Sequence, residues 1–330
     1  MTNVMIKEGT YKIRGKDVEL AGMVFPLVEE FKVGAKGGYV TVDGRAIAGF
    51  PDRNIKITCS SADAYTATTA ASESREESDA ETVERIRERF DMLKDMTKAV
   101  KKGDVRAMIV SGPPGVGKSH GVEEVLDRYK MMETLGGNQT HEVIKGAMSA
   151  IGLYCKLYKM ADKGKVVVFD DCDSIFNDEL SLNILKAALD SKKTRTIHWN
   201  TDSFKLRNEG VPDSFKFEAS AIFITNLKFD KVKGKLREHL EALESRCHYM
   251  DLTIDTDREK MLRIKQVTQD GMLDAYALTD EVKEEIMDFI DINKEKLREL
   301  SLRTVLKVAD LAKAFPTKWE AMAENTVMKR

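Results

Sequence analysis

Between an apolar run at 107–110 and a helical pattern at 119–132 stands Gly112-Pro113-Pro114-Gly115-Val116-Gly117-Lys118-Ser119, which fits the spacing GxxxxGK[ST]. Each residue type has a chemical reason. Glycines let consecutive backbone N–H groups turn inward toward phosphate oxygens, and the positive end of the following helix adds to that field. Lys118 can reach the β- and γ-phosphates of a nucleotide and the Ser119 hydroxyl can ligate Mg2+, with His120 next in the first helical turn. A glycine-rich turn could share the pattern by chance, but a strand before it and a helix after it are the setting that phosphate binding requires.

A second group is Val166-Val167-Val168-Phe169-Asp170-Asp171, an apolar run of buried-strand type ending in two carboxylates. At the carboxyl end of a strand beside a phosphate loop, Asp170 can hold Mg2+ through water, and Asp171 can polarise an attacking water. Asp173 follows, and an acidic run of this kind also reads as a solvated turn.

These groups need a scaffold to align them. Strand-sized apolar runs at 107–110, 143–144, 166–169 and 221–224 alternate with helical patterns at 119–132, 149–161 and 178–189. That order predicts an α/β fold, a mostly parallel sheet sandwiched by helices. Upstream, Val83, Ile86, Phe90, Leu93, Met96 and Val100 recur at helical spacing and mark one amphipathic helix, stopped by Gly103. Patterns at 256–268, 280–297 and 302–314 predict a small C-terminal all-α domain. Residues 1–60, with β-favouring runs at 39–42 and 54–58 and glycines between them, predict a small strand-rich N-terminal module. Residues 61–80 are Ala/Ser/Thr-rich with no large apolar side chain except Tyr65, too little to offset ordering entropy, which predicts a flexible linker. The expected plan is thus 1–60, linker 61–80, an α/β core at 81–253 and a helical region at 254–330.

The two motifs together resemble the AAA+ ATPases, a P-loop NTPase family, and the resemblance extends over about 105–310. It implies ATP and Mg2+ as cofactors and ATP hydrolysis as the reaction. In that family a polar residue ends the next core strand and positions the lytic water, and Ser220-Ala221-Ile222-Phe223-Ile224-Thr225-Asn226 looks like that strand, with Asn226 as the sensor. Ser245-Arg246-Cys247 resembles the arginine-finger box, in wording similar to clamp-loader subunits, so Arg246 would reach the γ-phosphate of a neighbouring subunit. Leu300-Ser301-Leu302-Arg303-Thr304 looks like the lid-borne second sensor, with Arg303 contacting phosphate in cis. Taken alone, Asn226 is an ordinary strand-ending residue and each arginine an exposed helical one. Many relatives carry Glu where this chain has Asp171, one methylene shorter, which leaves the base open between Asp171 and Asp173. The wording of 166–190 also looks like phage-encoded AAA+ ATPases. The family implies a homo-oligomeric ring, a hexamer with a pentamer also open.

What such a ring would act on is less constrained. The stretch 145–154 lacks the aromatic-aliphatic-Gly triplet of protein-threading relatives and reads equally as a tight turn with Ser149 as N-cap. Short β-like runs at 194–199 and 214–217 form either a hairpin or a long surface loop. Lys228, Lys231, Lys233, Lys235 and Arg237, with Phe229 nearby, could follow a phosphate backbone or simply face water. Two function classes remain: a ring motor or remodeller of nucleic acid, nucleoprotein or a partner protein, and a nucleotide-gated assembly or switch with slow turnover. A plain P-loop kinase would need an acceptor-binding lid and no trans arginine.

Composition sets the outer limits. In 330 residues, Lys plus Arg is 53 against 55 for Asp plus Glu, a net charge of −2, which excludes a globally basic nucleic-acid coat. A hydrophobic share of 42% supports a core and a charged share of 33% covers it. No apolar stretch is long enough for a membrane span and the start lacks a signal-type apolar region, so the expected location is the cytoplasm, the host's if the chain is phage-encoded. Cys59, Cys155, Cys172 and Cys247 form no CxxC pair and read as reduced thiols.

Overall fold

The computed structural model describes residues 3–13, 16–34, 37–46, 50–51, 53–68, 77–136 and 139–329. The chain divides into two compact units, Met1–Ser78 and Asp79–Arg330.

The first unit is a seven-stranded antiparallel sheet of β1 (Asn3–Ile6), β2 (Thr10–Ile13), β3 (Lys16–Glu19), β4 (Val24–Gly34), β5 (Gly37–Asp43), β6 (Asn54–Thr58) and β7 (Tyr65–Thr68), in the order β3-β2-β6-β5-β4-β1-β7. Period-two alternation builds its core: Ile55 and Ile57 of β6 are buried, while Asn54, Lys56 and Thr58 between them are exposed. They pack with Val4, Ile6, Phe25, Val40 and Val42. The linker expected over 61–80 is corrected at its start. A 3-10 turn at Ala62–Ala64 leads into β7, which pairs with β1 from Asn3↔Thr68 to Ile6↔Tyr65. An edge strand needs only ladder hydrogen bonds on one side, so a lack of large apolar residues does not prevent it. Two further bonds hold the entry: the Ala64 carbonyl accepts from the Lys7 N–H, and the Tyr65 hydroxyl accepts from the Phe31 N–H at 3.1 Å. Residues 69–76 of the expected linker lie outside the described residues.

The second unit opens with α1 (Asp79–Lys102) and then alternates β8 (Ala107–Ser111), α2 (Lys118–Gly136), β9 (His141–Lys145), α3 (Ala150–Lys159), β10 (Val166–Asp170) and α4 (Glu179–Ala188). A two-stranded hairpin of β11 (Thr196–His198) and β12 (Ser214–Lys216) follows, with the short α5 (Phe204–Glu209) between its strands. Then come β13 (Ser220–Thr225), α6 (Lys235–Glu244) and β14 (His248–Asp251). The main sheet is fully parallel in the order β14-β8-β13-β10-β9.

Alternation again decides which face each residue serves. Ala107, Ile109, Val167, Phe169, Ala221 and Phe223 point to one side, into a core with Leu153 of α3 and Leu185 of α4. Met108, Val110, Val166, Val168, Ile222 and Ile224 point to the other, against Ile86, Phe90 and Leu93 of α1 and Val122 of α2. Both faces being covered, the strands read as near-continuous apolar runs.

After β14 the chain is helical: α7 (Asp257–Val267), α8 (Asp280–Asn293), α9 (Leu302–Ala314) and α10 (Trp319–Val327). Ile264, Ile286, Ile290, Val305, Val308 and Trp319 give these helices a core of their own. α7 starts on a capping box in which Thr256 and Glu259 bond reciprocally, and Glu259 also pairs with Arg85 of α1 at 2.7 Å. No helix among the described residues is long and apolar enough to cross a membrane.

Candidate functional site

Parallel register brings the carboxyl ends of four strands level. Ser111 of β8 is opposite Thr225 of β13, and Asp170 of β10 is opposite Ile224 on one side and Lys145 of β9 on the other. Loops leaving these ends therefore share one edge of the sheet, the usual place for ligands in parallel α/β folds.

The phosphate loop leaves β8 there and enters α2 at Lys118. Gly115 and Gly117 have φ of 70° and 102°, backbone that side-chain-bearing residues rarely adopt. Gly115 has a second reason to be glycine. A Cβ there would lie 2.6 Å from the Ser301 Cβ, and its carbonyl accepts from the Leu302 N–H at 3.0 Å. The start of α9 is thus seated directly on the loop.

Lys118 is 6% exposed, and its ammonium donates to the carbonyls of Gly112 and Pro113 and to Asn226 Oδ1, each at 2.8 Å. Burial pushes its pKa down to about 8, against the upward pull of Asp171 and Asp170, while the Arg303 charge adds to the depression. Ser119 Oγ donates to Asp170 Oδ1 at 2.9 Å. His120, in the next position, is exposed.

Asp171 follows β10 at φ 52°, a conformation that Asp tolerates better than most residues, and its N–H still donates to the Ile224 carbonyl. Asn226 Nδ2 donates to Asp171 Oδ1 at 3.0 Å. One amide therefore bridges the phosphate-loop lysine and the outer carboxylate. Asp173 is engaged elsewhere, accepting from the Thr225 hydroxyl at 2.6 Å, and burial raises its pKa against that bond. Cys172 is buried, and burial pushes its thiol up to about 11, which favours the unreactive protonated form.

The two arginines divide. Arg303 is the second residue of α9 and exposed, and its charge reaches Lys118, so it belongs to the same edge. Arg246 does not. It follows α6 and precedes β14, whose first residue His248 is opposite Met108, whereas the loop leaves beyond Ser111. That is about 10 Å of strand away, at the amino end of the sheet. Its guanidinium is exposed and hydrogen-bonds its own helix at the Ala242 carbonyl.

The donor set fits Mg2+. The Ser119 hydroxyl and an Asp170 oxygen are hard ligands 2.9 Å apart at a helix N-terminus, suited to an ion that keeps several waters and takes phosphate oxygens. Among the described residues no cluster of three or more His, Cys, Asp or Glu is placed to hold a metal.

Three contributors were not legible in the sequence. Lys145 pairs with Asp170 Oδ2 at 3.3 Å and with Glu123 of α2 at 2.7 Å. Strand register was its only signal. Arg263 of α7 stacks on the Phe90 ring of α1 at 3.6 Å beneath the loop, with burial lowering its pKa to about 10. No sequence pattern links these two residues. Thr225 was visible only as the residue before Asn226. In the basic cluster after β13, Phe229 is buried against Phe176 and Tyr249. Lys228 and Arg237 are paired with Asp255 and Glu241, while the side chains of Lys231 and Lys235 lie outside the described residues.

The stretch 108–244 matches the family described as "ATPase family associated with various cellular activities (AAA)". It runs from β8 to the last residue of α6, taking in the phosphate loop, Asp170, Asp171 and Asn226 but stopping short of Arg246 and the lid helices. An uncharacterized 36.7 kDa protein of Enterobacteria phage T4, from the nrdC-mobD intergenic region, is 35% identical over 243 residues, covering 72% of this chain and 73% of the phage protein. The resemblance to phage-encoded members is thereby borne out. Domain III of the Thermotoga maritima replication initiation protein DnaA is similar at a TM-score of 0.44 and 12% identity, over 73% of this chain and 92% of that one.

Proposed function

The chain belongs to the AAA ATPase family, and on that premise we propose that it is a Mg2+-dependent ATPase working as an oligomer to remodel a nucleic acid, a nucleoprotein or a partner protein. The observation that carries the proposal is the Asn226 amide, bonded at once to Lys118 and to Asp171. Merely holding a nucleotide needs no contact between the lysine that meets the phosphates and a carboxylate aimed outward. A carboxylate steadied beside the phosphate-facing lysine suits a site that positions a water for attack.

In this assignment the loop N–H groups and Lys118 bind the β- and γ-phosphates, and Ser119 with Asp170 holds the metal. A Mg2+ ion held there by Ser119 and Asp170 would neutralise charge on the phosphate oxygens. Asp171, steadied by Asn226, orients the lytic water, and Arg303 meets phosphate from the lid. Arg246 lies at the wrong end of the sheet for its own loop, so it serves as the finger of a neighbouring copy. A ring follows, a hexamer in the first instance, with the Ser245-Arg246-Cys247 wording keeping a pentamer in play. A second function, a nucleotide-gated assembly with slow turnover, draws on Asp171: a carboxylate one methylene shorter than Glu holds water less closely.

The test is the ATPase rate per subunit against protein concentration, alongside light scattering with a non-hydrolysable analogue. The expected result is a rate that rises as assembly proceeds. A monomer hydrolysing at a concentration-independent rate refutes the oligomeric site, and assembly without hydrolysis establishes the switch. Repeating the series with single-stranded DNA, duplex DNA and unfolded protein identifies the substrate by which one stimulates.

A further inference from the structure

Asp170 is nearly buried, and each of its carboxylate oxygens has a partner on a different element. Oδ1 accepts from Ser119 of α2 at 2.9 Å, and Oδ2 faces the Lys145 ammonium of β9 at 3.3 Å. A carboxylate torsion is otherwise broad and two-fold. With Ser119 alone the group could swing about that single bond, whereas two partners on opposite sides fix its plane. Lys145 does not float either. Its closer contact is Glu123 at 2.7 Å, four residues beyond Ser119 and on the same face of α2.

We infer that Lys145 is a positioning residue for the metal-side carboxylate, with Glu123 as its tether. Glu123 matters for charge as well as for place. A lysine paired with Asp170 alone would cancel the negative charge that attracts Mg2+, whereas one shared between two carboxylates leaves the group a net −1. The more tightly held partner is Glu123, so the ammonium orients Asp170 without drawing it off the metal. Lys145 is 59% exposed, and an ion pair so open adds little stability. Its worth lies in geometry. Partners of metal ligands elsewhere carry about 10–100-fold in metal affinity. All of this rests on the ATPase function proposed above.

The test is the ratio of fluorescent ATP-analogue affinity with Mg2+ to that with EDTA, and the Mg2+ concentration at half-saturation, in wild-type, Lys145→Met, Lys145→Arg and Glu123→Gln proteins. Lys145→Met is expected to raise the half-saturating Mg2+ about tenfold, Lys145→Arg to recover most of it, and Glu123→Gln to raise it by a smaller factor. Mn2+ binding followed by electron paramagnetic resonance gives the same comparison with no catalytic readout. A half-saturation in Lys145→Met that is unchanged, or lower because a like charge has gone, overturns the inference and leaves the site standing. A wild-type protein whose analogue binding ignores Mg2+ overturns the Ser119–Asp170 metal site and this inference with it. Circular dichroism of each variant separates misfolding from the effect sought.

Discussion

The two ends of the parallel sheet are built to different standards. At the carboxyl end Asn226 already joins Lys118 to Asp171 and Ser119 is bonded to Asp170, and the lid is seated on the loop through Gly115. At the amino end Arg246 is exposed, and its hydrogen bonds run to its own helix. Groups fixed before the ligand arrives need no reorganisation during reaction, which is where much of the catalytic effect of polar sites originates. A lone exposed arginine gains nothing until a charge is brought to it. On the proposed function, the contrast separates the half of the chemistry that a single chain carries from the half that it would lend to another copy.

The largest effect should come from separating the halves. Arg246→Ala is expected to lower turnover by about 10³–10⁵, the range for trans arginine fingers, while leaving ATP affinity nearly intact. Lys118→Ala should be inactive through lost binding. Mixing the two inactive proteins should restore measurable ATPase activity, because some interfaces then pair an intact loop with an intact finger. If Arg246→Ala alone keeps wild-type turnover, the amino end has no part in the reaction and the contrast collapses; if both variants are inactive and their mixture stays dead, no finger is shared between copies.

A smaller step sharpens the carboxyl end. Asp171→Asn is expected to slow hydrolysis by about 10²–10⁴, the usual share of a water-activating group, with ATP still bound. Asp173→Asn should cost far less turnover, since that carboxylate is committed to the Thr225 hydroxyl rather than aimed outward. Single-turnover kinetics of the two variants decide the matter. A larger loss from Asp173→Asn transfers the role of base to it.

Legibility followed sequence distance. The phosphate loop was readable because its parts are adjacent and its backbone demands, such as φ of 70° at Gly115, select glycine at fixed positions. The buried strands were readable because both their faces are covered, which leaves runs such as Val166–Asp170 without polar interruption. Lys145 and Glu123 were not, because their relation to Asp170 is created by strand register and by a helix facing the sheet, not by spacing along the chain. Arg263 on Phe90 joins helices far apart in the second unit's sequence, for which no local pattern exists. β7 escaped because an edge strand can form on ladder bonds alone.

The smallest expected effect concerns protons at Lys118. Its pKa in the folded chain is about 8 against an ordinary 10.5, with burial as the main cause. Depression of a lysine means that the folded protein binds fewer protons than the unfolded chain between those two values. Stability should therefore rise as pH passes from about 8 upward, because the burden of burying an ammonium is removed, and be flat in this respect below about 8. ATP reverses the local balance. Its phosphates add negative charge beside the nitrogen, joining Asp170 and Asp171 and outweighing Arg303, so the ammonium is favoured and binding draws in a proton. At pH 8 the uptake should be about half a proton per site, falling toward zero at pH 7 and nearing one at pH 9, with affinity about tenfold weaker at pH 9 than at pH 7. Calorimetric titrations in two buffers of different ionisation enthalpy measure the uptake directly. Lys118→Arg supplies the control, because a guanidinium does not titrate in this range and its uptake should vanish. Equal uptake in wild type and Lys118→Arg would place the titrating group elsewhere, and the preorganised end of the sheet would then hold a lysine that is charged from the outset.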